Sequence, residues 1–361
     1  MESKPPVRVS IIIPVSLLLL MCSPLGAQMS RRDMEDIERH RWETARPPVV
    51  QSIGSDSLEW EATVVVSTWD FLEGGNPDGD GDSLRVQPDI TTGGGPVLDV
   101  FWESPDTLLA TMVADYIARH RKGLGIVLGR YAAYEDELRS AFRSRGLPEG
   151  LAILAAVESA MNPLALSRAG ARGMWQFMPA TARHYGLRCD GIVDERLDYL
   201  RSAEAAAAYL EKAYLKYGDW RLAISSYNCG PASMDRAVAQ AGSGCYWDIY
   251  PFLPAETRGY FPAFAAILYA YTYGNELGIR WSPMQREETW LFKAERDLSI
   301  SEIATALGVS AERLRQMNPQ FMAGIIPGRS KAYFVRIPLL RLPRQKTNPG
   351  KLFRDEKALR T

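Results

Sequence analysis

Glu158 is a carboxylate among apolar neighbours, and its position is what gives it a chemistry. From Pro148 and Glu149 onward, Leu151, Leu154 and Met161 recur at helical spacing, and Glu158 falls seven residues after Leu151 and four after Leu154. That places it on the stripe a helix turns toward the interior, where an acidic side chain is out of place. Asn162-Pro163 disfavours helix further on, so Glu158 sits in the last turn, at the negative end of the helix dipole. Burial and dipole both oppose ionisation. A carboxylic acid still protonated near neutral pH is what general-acid catalysis requires. The plain alternative is a Glu that reaches solvent or pairs with an arginine such as Arg168 or Arg172.

The elements that would position this acid follow in both directions. Upstream, residues 107–142 carry helical stripes, Leu109, Val113, Tyr116 and Ile117, then Tyr131, Tyr134, Leu138 and Phe142. Downstream, Ser202 is the expected cap of a helix bearing Ala206, Tyr209, Ala213 and Tyr217 and stopping at Gly218. Further helices are expected from Asp219-Trp220 to Tyr227-Asn228, over 233–241 and over 260–273. The fold class is therefore mainly α. Aromatics at Trp175, Tyr227, Trp247 and Tyr260 serve either a core or a groove that stacks on flat ligand faces.

Around Glu158 the residues form a dense motif: Glu158-Ser159, then Ser167, Gly170 and Gly173, then Trp175-Gln176-Phe177-Met178-Pro179 and Thr181. Tyr227-Asn228-Cys229-Gly230 and Glu256-Thr257-Arg258-Gly259-Tyr260 follow in order. This array resembles the lysozyme-like lytic transglycosylases of the SLT superfamily. Asp194-Glu195-Arg196 and Asp219-Trp220 add a resemblance to the membrane-bound lytic murein transglycosylase D subfamily. The resemblance implies a lysozyme-like α-rich domain that cuts peptidoglycan glycan strands. Glu158 would protonate the oxygen leaving N-acetylmuramic acid, then accept the proton of that sugar's C6 hydroxyl as a 1,6-anhydro ring closes. Ser167, Gln176, Met178, Tyr227, Asn228, Glu256 and Tyr260 are the implied substrate-binding residues, with Tyr227 and Ser167 near the carboxylate. Two rivals stand beside this reading. One is a hydrolytic muramidase in which Glu256 or Asp194 activates water; the other is a non-catalytic peptidoglycan-binding protein.

After Trp281-Ser282-Pro283 the pattern changes to a strand at 289–294, a helix at 299–307 with a capping box at Ser299 and Glu302, a helix opened by Ser310, and a strand at 333–337. This βααβ order resembles a LysM module. The entry Arg296-Asp297-Leu298-Ser299 departs from that module's usual Gly-Asp-Thr-Leu, so weak glycan binding is expected of it.

At 361 residues the chain suits one medium domain, a small one and linker. A net charge of −1 gives no electrostatic case for nucleic acid. The expected organisation is a signal peptide at 1–27, a polar linker or weakly ordered extension at 28–104, the catalytic domain at 105–284, the LysM-like module at 285–340 and a basic tail at 341–361. Asn76 to Asp82 resembles a calcium loop, but neither frame completes the ligand set, so a solvated acidic turn is expected, with no metal and no cofactor. Export to the periplasm or outer membrane follows from the leader, with membrane anchoring if Cys22 is lipidated. Of the remaining cysteines, Cys229 and Cys245 flank one helix and are the expected disulfide; the alternative leaves them and Cys189 free.

Overall fold

The Asp106 carboxylate accepts the Leu109 backbone N–H at 2.9 Å and starts helix α1, Thr107–Ala132. The structure, a computed structural model, describes residues 106–339. The expected leader, the 28–104 extension with its acidic turn, Cys22 and the basic tail lie outside the described residues.

The acidic first turn of α2, Glu135–Arg143, fits its helix start. The segment carrying Glu158 then begins as a 3₁₀ turn, Glu149–Ile153, and continues as the short helix α3, Leu154–Ser159. Sequence spacing predicts one helix here. Both pieces keep Leu151, Leu154 and Met161 fully buried, so the apolar stripe holds across the change of pitch. Glu149 ties the start of the segment to α2 through Arg139 at 2.8 Å and Arg143 at 2.5 Å, and the Arg143 hydrogen bond foremost lowers its carboxyl to about 2.

Helices α4 (Pro179–His184), α5 (Tyr199–Tyr217), α6 (Trp220–Cys229), α7 (Pro231–Ala241), α8 (Tyr246–Ile249) and α9 (Ala255–Tyr273) complete the α-rich part. α9 packs along α1, and α5 along α6, around one continuous core. Asp198, not Ser202, caps α5: its carboxylate accepts from Leu200 N and Arg201 N, while the Ser202 hydroxyl donates back to the Asp198 carbonyl at 2.7 Å. A carboxylate at the preceding position outcompetes a hydroxyl one turn inside.

The C-terminal module pairs strand β1 (Thr289–Ala294) antiparallel with β4 (Tyr333–Pro338), from Thr289↔Pro338 to Ala294↔Tyr333. Helices α10 (Ile300–Leu307) and α11 (Ala311–Met317) lie between, the first with the expected capping box and the second capped by Ser310. The βααβ order therefore stands. Sequence periodicity misses a second antiparallel pair, β2 (Asp297–Ser299) with β3 (Ile325–Pro327), because strands of three residues are too short to show alternation.

The expected Cys229–Cys245 disulfide is not formed; Cys189 and Cys229 are free thiols. The 11-residue α7 lies between the two positions. It is about 16 Å long, against the roughly 4–7 Å that bridged Cα atoms require.

Candidate active site

Glu158 occupies the last turn of α3, and the chain leaves that turn through a strained corner. Ala160 (φ 50°) and Met161 (φ 66°) are left-handed, and so is Gln176 (φ 47°) on the loop opposite. Among the described residues these are the non-glycine positions with positive φ. Each such residue costs about 1–3 kcal/mol unless its surroundings enforce it. Here they do. Ser159 Oγ donates to the Met174 carbonyl at 2.8 Å and accepts the Asn162 N–H at 3.0 Å, and Asn162 Oδ1 closes an Asx turn on Leu164 N at 2.9 Å. The helix end and the 165–177 loop are thereby fixed to each other.

The carboxylate is partly buried, and the dense apolar surround pushes its pKa from the ordinary 4.5 up to about 8. Desolvation is the chief cause; a hydrogen bond donated by the Tyr260 hydroxyl opposes it, and the nearby Glu256 charge adds to it. Neither Arg168 nor Arg172 pairs with it: Arg172 Nη1 reaches Asp194 Oδ2 at 3.1 Å, and Arg168 is exposed. Glu158 is thus an acid at neutral pH with a hydroxyl partner, the state general-acid chemistry requires.

The other expected site residues are placed unevenly. Tyr227 stands beside the carboxylate, raised far above its usual pKa chiefly by burial and then by Glu158. Its hydroxyl donates to the Trp175 carbonyl at 2.9 Å, and its ring packs edge-on to Tyr209 and Phe177 at 4.9 and 5.7 Å. Tyr260 is buried, so its role is to partner Glu158 rather than to offer a ring face. Gln176 donates to the carbonyls of Gly173 (2.7 Å) and Ala165 (3.3 Å), and Ser167 closes a turn on Ala171 at 2.9 Å; both shape the loop. Asn228 Oδ1 accepts the Thr257 hydroxyl at 2.7 Å, which fixes the orientation of its amide. Met178 is 42% exposed at the start of α4, a flexible thioether available for contact. Trp175 is wholly core, and Trp247 is tied to Asp106 at 2.7 Å.

Glu256 is exposed in the first turn of α9. It does not pair with Arg258, which bonds the Leu253 and Pro251 carbonyls instead. Asp194 is buried; desolvation opposes its ionisation, but Arg196 and Arg172 outweigh that and hold it below the usual range. A carboxylate gripped by two guanidiniums is a poor base for water.

Three long-range pairings around the site escaped sequence reasoning. Tyr209, read there as part of a helix face, turns its hydroxyl onto the Ser226 carbonyl at 2.6 Å and its ring onto Tyr227. Thr257 orients Asn228 from α9, and Trp175 Nε1 anchors the loop to the Tyr199 carbonyl at 3.3 Å. Their pairings span different helices, which no local spacing encodes.

The site thus sets a raised acid at the end of a buried helix, faced by a tyrosine and a glycine-bearing loop. Residues 139–249 match the model of the transglycosylase SLT domain family, and residues 292–350 that of the LysM-like domain of the lytic transglycosylase MltD. The chain is 29% identical over 227 residues to membrane-bound lytic murein transglycosylase D of Escherichia coli K12, covering 61% of this chain and 49% of that protein. It is 29% identical over 138 residues to the soluble lytic murein transglycosylase of the same strain, covering 36% of this chain and 21% of the relative. It thus spans about half the length of the first relative and less of the second. The solved 70 kDa soluble lytic transglycosylase of E. coli aligns at a TM-score of 0.38 with 25% identity, over 46% of this chain and 28% of that one.

Proposed function

We propose that this chain is an exported peptidoglycan lytic transglycosylase. It would cleave the β-1,4 bond between N-acetylmuramic acid and N-acetylglucosamine and leave 1,6-anhydromuramic ends, for cell-wall remodelling or turnover. Its partners are the glycan strands, its place the periplasm or outer membrane, with anchoring if Cys22 is lipidated. Its catalytic domain is residues 105–284 and its module 285–340.

The observation that carries this reading is the supply of acids. Glycoside hydrolysis uses two carboxylates, one protonated and one not, flanking the bond. This site offers one protonated group, Glu158, while Asp194 is bound by arginines. An intramolecular hydroxyl removes the need for an activated water, so a single group can act as acid and then as base. In the first step the Glu158 proton goes to the leaving oxygen as the C1–O bond breaks. In the second the C6 oxygen bonds to C1 and its proton returns to Glu158. Tyr260 stabilises the carboxylate between the two steps.

The exposed Glu256 near Glu158 favours the hydrolytic rival, in which it would activate water. Mass spectrometry of a purified sacculus digest decides: the anhydro product is one water lighter than the hydrolytic one. Products carrying the extra water, released with Glu256 intact and lost in Glu256→Gln, would replace this reading with the muramidase.

A further inference from the structure

We infer that the LysM-like module is a fixed part of the active-site support, and that Arg336 on its strand β4 is a positioning residue for the loop facing Glu158. The inference rests on the function proposed above for that site, and it concerns how the site is held.

Strip 188–199 runs between the module and the site loop, and it is bonded to both. On the module side, Arg336 is 6% exposed and its Nη2 meets Asp198 Oδ1 at 2.9 Å, Asp198 being equally buried. The same guanidinium donates from Nε to the Tyr199 hydroxyl at 3.3 Å and lies 4.2 Å over that ring. Asn318 Oδ1 holds the Arg336 backbone N–H at 2.7 Å, so the arginine is braced from within the module. Around it, Lys331 meets Glu195 at 2.9 Å, Arg188 reaches the Tyr333 hydroxyl at 3.2 Å, and Asp194 N donates to the Gln320 carbonyl at 2.8 Å. Val193, from the strip, is fully buried in the module's own apolar core.

On the other side the same strip grips the loop. Arg196 Nη1 donates to the carbonyls of Gly170 (2.9 Å) and Phe177 (3.0 Å), the two ends of the segment carrying Gln176. Asp194 binds Arg172 within that segment. Gly173 sits so close that an added Cβ would meet the Arg196 carbonyl oxygen at 1.9 Å. From the loop the path closes on the acid, since the Met174 carbonyl receives the Ser159 hydroxyl one residue after Glu158.

Two features separate this from a tethered accessory domain. The link includes a buried ion pair, Arg336 with Asp198, so removing one partner by mutation strands a desolvated charge at the contact. Asp198 is also the cap of α5, which joins the module to a core helix as well as to the loop. A domain meant to swing free would present a wet, exposed boundary instead.

The test uses the full chain with Arg336→Met. Hydrogen exchange of residues 165–177 should rise roughly tenfold or more while α1 stays protected. Sacculus digestion should show kcat down roughly 10- to 100-fold with KM little changed, the pattern of a misplaced catalytic group rather than lost binding. Arg336→Lys, which keeps the charge but not the second donor, should recover part of both. Unchanged loop exchange and unchanged kcat in a folded Arg336→Met protein would overturn the inference. If that variant does not melt cooperatively, Lys331→Met, which removes only the half-exposed contact to Glu195, carries the same two readouts with smaller changes expected. The exchange arm needs no activity. A wild-type chain without lytic activity would therefore defeat the proposed function while leaving the docking inference to be judged on the loop alone.

Discussion

The Tyr260 hydroxyl donates to Glu158 Oε1 across 102 residues of chain, joining the second turn of α9 to the last turn of α3. That bond lowers the Glu158 pKa against a larger desolvation effect. Tyr260→Phe should therefore raise the pKa further and leave the carboxylate formed in the first step less stabilised. The expected outcome is a kcat lower by about 10-fold or more, with the alkaline limb of the kcat profile moved to higher pH. A full pH–rate profile of the variant checks both.

Glu256→Gln should move the same limb the other way. Its charge raises the Glu158 pKa, so neutralising it makes the acid ionise sooner as pH rises, and activity should fall off at lower pH than in the wild type. What activity remains should still yield 1,6-anhydro products. Opposite shifts in Tyr260→Phe and Glu256→Gln, measured on one substrate preparation, would tie the limb to Glu158.

Gly173 has φ +81° and no room for a methyl group beside the Arg196 carbonyl. Gly173→Ala should cost about 2–4 kcal/mol through strain and backbone displacement, seen as a fall in Tm. Gly186→Ala has a similar φ but open space at Cβ, so it should cost only about 1 kcal/mol. A melt of the two variants side by side separates crowding from conformation.

Cys229 donates its thiol toward the Gly230 carbonyl at 3.6 Å and Cys189 toward Leu187 at 3.9 Å, and burial raises both pKa values. Both should alkylate in denaturant without reductant, and Cys229→Ser should leave lytic activity within about twofold. Peptide mapping of the oxidised protein that recovers a Cys229–Cys245 bridge would contradict this.

What the sequence made legible was whatever obeys a local period or cap. Glu158 on its stripe, the Ser299–Glu302 box, the stop at Gly218 and the strands 289–294 and 333–338 all appear where spacing puts them. What it hid depends on partners far along the chain. Asp198 was invisible as a cap because its second duty is to Arg336, 138 residues away. The left-handed turns at Ala160, Met161 and Gln176 carry no glycine to announce them; the bonds of Ser159 and the loop enforce them. The cysteine pairing failed because adjacency to a helix is not proximity across it.

Glu158→Gln tests the acid itself. With a folded pKa of about 8 against an ordinary 4.5, the folded chain binds this proton more tightly than the unfolded chain does. Between those two pH values unfolding releases a proton, so this group makes stability fall as pH rises, by up to about 1.4 kcal/mol per pH unit, and the loss levels off above the folded pKa. Below the ordinary value both states are protonated and the group contributes no pH dependence. A glutamine keeps an acceptor for the Tyr260 hydroxyl and cannot ionise, so the variant should match the wild type in Tm near pH 4 and exceed it increasingly toward pH 8. Over the same range its activity should be about 10²–10⁴-fold lower or worse, because an amide can neither donate the leaving-group proton nor take up that of the C6 hydroxyl. A Tm gap that stays flat with pH would mean Glu158 is not the raised acid. Near-wild-type release of anhydro products would mean it is not the catalytic one.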